Sequence, residues 1–95
     1  MSNTTIDYTN KKFLVSNEPI MKSAVDIVEI LSKIDKITMK GTGEFCPAAV
    51  SIANVVTQNM LKGNTKTEKI SVDSEILDDG RMISTIEIII AKIGN

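Results

Sequence analysis

The 95-residue chain has no histidine and no tryptophan, one cysteine, one arginine, two prolines and three aromatic residues. Without histidine, the commonest general base and the commonest metal-ligating side chain are both missing. A lone cysteine, Cys46, closes no disulfide within the chain, which points to a reducing compartment and a cytoplasmic protein. With Arg81 as the sole arginine, planar forks for phosphate or guanine are nearly absent. No apolar run approaches the ~20 residues that cross a bilayer. The polar start Met1-Ser2-Asn3-Thr4-Thr5 lacks the basic and then apolar pattern of a secretory leader, so no membrane partner is expected.

What is present is an ordinary globular mixture, 42% apolar and 24% charged, enough to close one core. The expected organisation is a loose polar tail over residues 1–10 and one domain over residues 11–95. Eleven basic residues against twelve acidic ones leave a formal net charge of −1, with a sequence pI near 5.3. Domains that bind nucleic acid through phosphate contacts usually have a pI above about 9. Composition alone therefore opposes such binding.

The pattern along the chain alternates between two periods. Lys12 to Ser16 is a short apolar burst that fits a strand. Asn17-Glu18-Pro19 reads as a helix start, with Asn17 or Glu18 as cap and Pro19 in the first turn. Ile20, Ala24, Ile27, Val28, Leu31 and Ile34 then recur every three or four residues as one apolar stripe. Lys36 to Lys40 alternates as a second strand, and Gly41-Thr42-Gly43 breaks it. A second helix is expected from Phe45 to Lys62, with Pro47 near its start and Gly63-Asn64 as its stop.

The last third has a period of two. Lys69 to Ile76 places Ile70, Val72 and Ile76 on one face, Asp78-Asp79-Gly80 signals a hairpin, and Met82 to Lys92 carries Ile86, Ile88 and Ile90 inward. The fold class is a two-layer α+β arrangement in the order β-α-β-α-β-β. Crossover rules and the isoleucine-rich last strand predict a mixed four-stranded sheet of order 1-2-4-3 with both helices on one face. Ile89 and Ala91, facing the other way, would leave a modest apolar patch there for a partner.

Three local sequences in this order resemble the Alba family of small chromatin and RNA-binding proteins. They are Phe13-Leu14-Val15-Ser16-Asn17-Glu18-Pro19-Ile20-Met21, Ile37-Thr38-Met39-Lys40-Gly41-Thr42-Gly43, and Asp79-Gly80-Arg81 followed by Ile83-Ser84-Thr85-Ile86-Glu87-Ile88. The resemblance implies a non-enzymatic homodimer without cofactor or metal, laying two hairpin arms along duplex DNA or RNA while the loops at the helix starts contact phosphate. It places Arg81 at the hairpin tip. It also marks a departure: Asn17 and Glu18 stand where the family usually has lysines, Thr42 and Glu44 where arginines are common, and Ala48 where a lysine is common. Lost phosphate contacts release fewer counterions, so weak binding is expected. The nucleic-acid-contacting residues implied are Lys12, Asn17, Lys22, Lys40, Thr42 and Arg81. A second implied arrangement is a protein-interaction role or a hetero-dimer with a basic paralogue, and retained DNA binding would make the protein chromosome-associated.

Each of these residues also has a plainer role. Arg81 is either a finger for a groove or a solubilising charge beside Asp78 and Asp79. Lys11, Lys12, Lys22 and Lys40 are either a residual basic strip or solvated surface. Cys46 lies at a helix start, where thiol chemistry is favoured, but with no histidine and with Glu44 nearby a small buried residue is the expected role. Asp73, Glu75 and Glu87 share a sheet face and, with Asp78 and Asp79, are expected to be solvated rather than metal-binding. Met21, Met39, Met60 and Met82 are expected as core or interface filler.

Overall fold

The computed structural model describes residues 12–93, and the tail expected over residues 1–10 lies outside them. Among the described residues the order is β1 (Lys12–Leu14), α1 (Ile20–Leu31), β2 (Lys36–Thr42), a 3-10 turn (Gly43–Phe45), α2 (Cys46–Val55), a π-helical turn (Val56–Met60), β3 (Thr65–Ile76) and β4 (Met82–Lys92). The strands form one mixed sheet in the order β1-β2-β4-β3, as the sequence predicts. β1 runs parallel to β2, while β4 lies antiparallel to both β2 and β3. None of the described helices is long and apolar enough to cross a membrane.

β4 is central because its inward residues are the most apolar in the sheet. Ile88 and Ile90 are fully buried, and Ile86 nearly so, beneath Ala24, Ile27 and Leu31 of α1 and Ala49, Ile52 and Ala53 of α2. Each buried aliphatic side chain contributes about 1.5–3 kcal/mol relative to exposure. Ile37 and Met39 of β2 join the same layer, so both helices cover one face and leave the other open.

Several boundaries differ from the sequence expectation, each for a local reason. Neither Asn17 nor Glu18 caps α1. Pro19 itself is the N-cap, in extended conformation (ψ 140°), and its carbonyl accepts from the amides of Lys22 and Ser23. α1 ends at Leu31, so Ile34 packs against the core from the connection that follows rather than from the stripe. β1 stops at Leu14, although the amide of Val15 still donates to the Lys40 carbonyl at 2.9 Å. β2 continues through Gly41 to Thr42, and the chain turns only at Gly43, whose φ is +54°. Gly41 is needed in the strand because a Cβ there would sit 2.8 Å from the Phe45 carbonyl oxygen and 3.1 Å from the Ala49 Cβ. The second helix is divided: after Val55 it widens into the π-helical turn, closed by the Leu61 amide donating to the Val56 carbonyl.

β3 begins at Thr65 rather than Lys69. Its pairing shifts between Thr67, opposite Ile90, and Lys69, opposite Ile89, so Glu68 forms a bulge. One inserted residue moves the alternation to the other face, which hides the first four strand residues from a period-two pattern. Beyond the bulge Ile70, Val72 and Ile76 share the helix-side face, as expected, but extend past the helices and stay more than half exposed. Met82, opposite Ile76, and Met21 are likewise exposed, so of the four methionines only Met39 is fully in the core. The patch expected at Ile89 and Ala91 is not open, since Ala91 is buried and Ile89 half-buried. In the sheet register Ala91 lies between Lys36 and Lys66, and Ile89 between Thr38 and Lys69; the aliphatic stems of the lysines shield such positions.

Two substitutions test this packing. Ile88→Ala should lower unfolding free energy by about 2–5 kcal/mol in urea titration, by emptying the fully buried centre of β4. Gly41→Ala should cost about 1–3 kcal/mol in the same measurement, because the new methyl meets backbone rather than a movable side chain.

Candidate nucleic-acid interface

Strand directions bring the helix-entry loops and the hairpin to one end of the sheet. β1 and β2 are parallel, with Leu14 beside Lys40, so the loop carrying Asn17 and the turn following Thr42 leave at the same end. Thr42 faces Thr85, and the pairs Ser74–Ser84, Glu75–Ile83 and Ile76–Met82 continue beyond the last residue of β2. The hairpin therefore projects past the body as an arm. Its loop closes with the Gly80 amide on the Leu77 carbonyl and the Leu77 amide on the Arg81 carbonyl, both 2.8 Å. Gly80 has φ +88°, the left-handed residue that a three-residue hairpin loop requires.

Asn17 is exposed in the loop before α1, Lys22 lies in the first turn of α1, and Thr42 is half-buried at the end of β2. Lys12 and Lys40 are on the open face of the sheet, with Lys40 directly opposite Glu87. Arg81 is not brought to them: it lies six positions before Glu87, about 20 Å along an extended strand. A basic strip running from Lys12 through Lys22 to the arm tip is thus interrupted.

Each of the four candidate cations is paired with a carboxylate of the same chain. Lys12 Nζ bonds to Glu87. Lys22 Nζ lies 3.3 Å from Glu18 and 3.5 Å from Asp26. Lys40 Nζ reaches across β4 to Glu75 at 3.2 Å. Arg81 Nε donates to Asp79 Oδ2 at 2.7 Å while its backbone amide donates to Oδ1 of the same carboxylate at 3.0 Å. A further cross-strand pair, Lys36 with Glu68 at 2.9 Å, lies at the bulge. Exposed pairs contribute only about 0–1 kcal/mol each. They do not lock the side chains, but each sets a negative charge against its cation.

Apart from Asp79, already placed beside Arg81, the sequence analysis missed these carboxylates as ion-pair partners. The spacing of Asp26, four residues beyond Lys22 on a helix, was a readable signal. The partners of Lys12, Lys36 and Lys40 depend on strand register and had none. Glu75 and Glu87 share a sheet face as expected, and each is engaged by a different lysine. Cys46 is half-buried, and its Sγ lies 3.6 Å from the carbonyl oxygens of Gly41 and Ser84, where the thiol donates weakly. An apolar cavity of about 270 Å³ between Leu31, Leu61, Thr65 and Ile93 lies at the other end of the sheet, away from the loops and the arm.

The Lys22 ammonium is held above its ordinary value of 10.5, first by the hydrogen bond to Glu18 and then by the charge of Asp26. A raised lysine pKa adds stability that is complete below 10.5 and is lost as pH climbs through the folded-state value. An NMR titration of the Lys22 side chain should show a midpoint above 10.5 that falls back in Glu18→Gln.

The Alba family model matches residues 11–74, more than half of the chain. Among solved structures, Alba from Thermoplasma volcanium superposes with a TM-score of 0.73 at 24% identity, covering 85% of this chain and 99% of that one. ALBA1 from Trypanosoma brucei superposes with a TM-score of 0.69 at 14% identity, covering 90% of this chain and 72% of that one. No curated protein matches the sequence. Both superpositions share the fold found here, and the sequence match covers β1, β2 and both helices and reaches into β3. This chain belongs to the Alba family, whose members in general bind nucleic acids and form dimers.

Proposed function

We propose that the chain is a non-enzymatic nucleic-acid-binding subunit that works as a dimer and holds duplex DNA or RNA weakly. The helix-entry loops at Asn17 and Thr42, together with Lys12, Lys22 and Lys40, make the phosphate contacts, and Arg81 adds a contact at the arm tip. Family membership supports the activity. The single observation that carries the weakening is that all four cations of the proposed interface already have an internal carboxylate partner. A phosphate gains less from a lysine that must first release a glutamate, and the displaced glutamate then repels it.

A second arrangement, pairing with a basic chain of the same fold, draws support from uncovered apolar surface. Val50 on α2 and Ile70 and Val72 on β3 are all exposed on the helix side of the sheet. A dimer would bury such residues, and a basic partner would supply the phosphate contacts that this chain lacks.

Fluorescence anisotropy with duplex DNA and with single-stranded RNA, at about 50 and 200 mM salt, tests the proposal. Binding should be measurable at the lower salt and nearly lost at the higher. Glu87→Gln should tighten it by releasing Lys12, and Arg81→Ala should loosen it several-fold. Absence of binding by the chain alone, restored on mixing with a basic Alba chain, would favour the hetero-dimer.

A further inference from the structure

Away from the loops and the arm, the helix side of the sheet ends in the apolar cavity of about 270 Å³. Val28 and Leu31 of α1, Leu61 after the π-helical turn and Ile93 after β4 form its walls. Leu31 is fully buried and Ile93 is 49% exposed, so the space is open to solvent at Ile93. Polar groups at its margin already have partners. The Ser32 hydroxyl donates to the Glu29 carbonyl at 2.6 Å and the Thr65 hydroxyl to the Leu61 carbonyl at 3.1 Å, while the Asn64 carbonyl accepts from the Ile93 amide at 2.9 Å. What the cavity lacks is an apolar filler rather than a polar ligand. Its volume falls below the ~300–1,000 Å³ of small-molecule sites. A stable separate protein partner takes roughly 20–30 residues a side, far more than line this space. One or two side chains on a tethered segment suffice, because tethering holds them at an effective concentration of about mM.

The chain before β1 arrives at this end of the sheet. β1 is parallel to β2, and Lys12 stands opposite Thr38, two positions past the start of β2 at Lys36. Residues preceding Lys12 therefore come from the side where β2 starts. There the Asp35 carbonyl accepts from the Lys92 amide at 2.8 Å, and Ile93 follows directly. From β1 across to β3 is three strand spacings, about 14 Å. Tyr8 precedes Lys12 by four positions and Ile6 by six, reaches of about 13 and 20 Å in extended chain. Between Ser2 and Lys11 these are the only apolar residues, and a spacing of two puts both on one side of an extended segment. Charge agrees as well. Exposed Lys33, Lys62 and Lys92 surround the cavity, and none of them forms an ion pair with a described carboxylate. Glu29 and Asp35 at the same end offset them only in part. The one charged side chain between Ser2 and Lys11 is Asp7, between the two apolar residues.

From the cavity, the direction of β1 and this spacing we propose that the N-terminal segment of the same chain folds back beneath the sheet end, with Ile6 and Tyr8 filling the cavity. The Tyr8 ring packs on Leu31, Leu61 and Ile93 while its hydroxyl stays at the rim, the usual division for this amphipathic side chain. Asp7 turns outward to the lysines around the mouth. The site shares no residue with the loops, the arm or the apolar surface assigned to pairing, so it stands or falls apart from nucleic-acid binding.

Tyr8 is the sole tyrosine and there is no tryptophan, so intrinsic fluorescence of the full chain reads this segment alone. Acrylamide should quench it several-fold less than it quenches a synthetic peptide of residues 1–11. NMR should show nuclear Overhauser contacts from the Tyr8 ring to methyls of Leu31, Leu61 and Ile93, within one copy in a mixture of labelled and unlabelled protein. Ile93→Lys, at a half-exposed wall position, should raise quenching to the peptide level while circular dichroism stays that of the parent, and Asp7→Lys should raise it part of the way. Quenching of the parent equal to that of the peptide, or unchanged shielding in Ile93→Lys, would overturn the proposal. So would ring contacts to another part of the domain, or contacts found only between copies.

Discussion

Burial of the inward isoleucines of β4 beneath two helices is the constraint on which the remaining architecture rests. Ile86, Ile88 and Ile90 need cover on one face, and α1 and α2 provide it with Ile27, Leu31, Ala49, Ile52 and Ala53. That contact sets β4 in the middle of the sheet, with β2 on one side and β3 on the other. It also governs what is left uncovered. The helices reach across β2 and β4 but not along the full length of β3, so the apolar alternation of β3 continues beyond the body with nothing above it. The arm and its exposed isoleucines follow from where the helices end.

Close approach of α2 to the sheet depends on small residues on both sides. Gly41 admits the Phe45 carbonyl and the Ala49 methyl, and Gly43 turns the chain with a left-handed φ that a larger residue would resist. This places the turn after Thr42 at the end where the hairpin departs. The candidate interface is thus built by the same packing that closes the core.

Charge is arranged more locally than a net value of −1 conveys. The four cations of the candidate interface are each held by an acid. On the open sheet face Lys12 and Lys40 are tied to Glu87 and Glu75, and at the tip Arg81 is tied to Asp79. The surface is close to balanced where a phosphate-binding surface would be positive. The distal arm is acidic and apolar instead.

Element order, the sheet order, the placing of both helices on one face of the sheet and the inward isoleucines were all legible in the sequence, because they follow from periodicities and crossover rules that need no knowledge of distant contacts. The hairpin loop was legible too, since Asp78-Asp79-Gly80 states its own turn chemistry. The bulge at Glu68 was not. It breaks the period that would reveal it, and it hid the start of β3. Nor was the cap at Pro19, where the preceding Asn17 looked the better side-chain acceptor for a free first-turn amide. What only the tertiary structure decided is which charges meet. Lys12 and Glu87 are 75 residues apart and Lys40 and Glu75 are 35 apart, so their pairing depends on strand order, register and the bulge together. Local sequence specifies the elements because backbone geometry is local; the electrostatics of the surface were settled by register, which is a property of the assembled sheet.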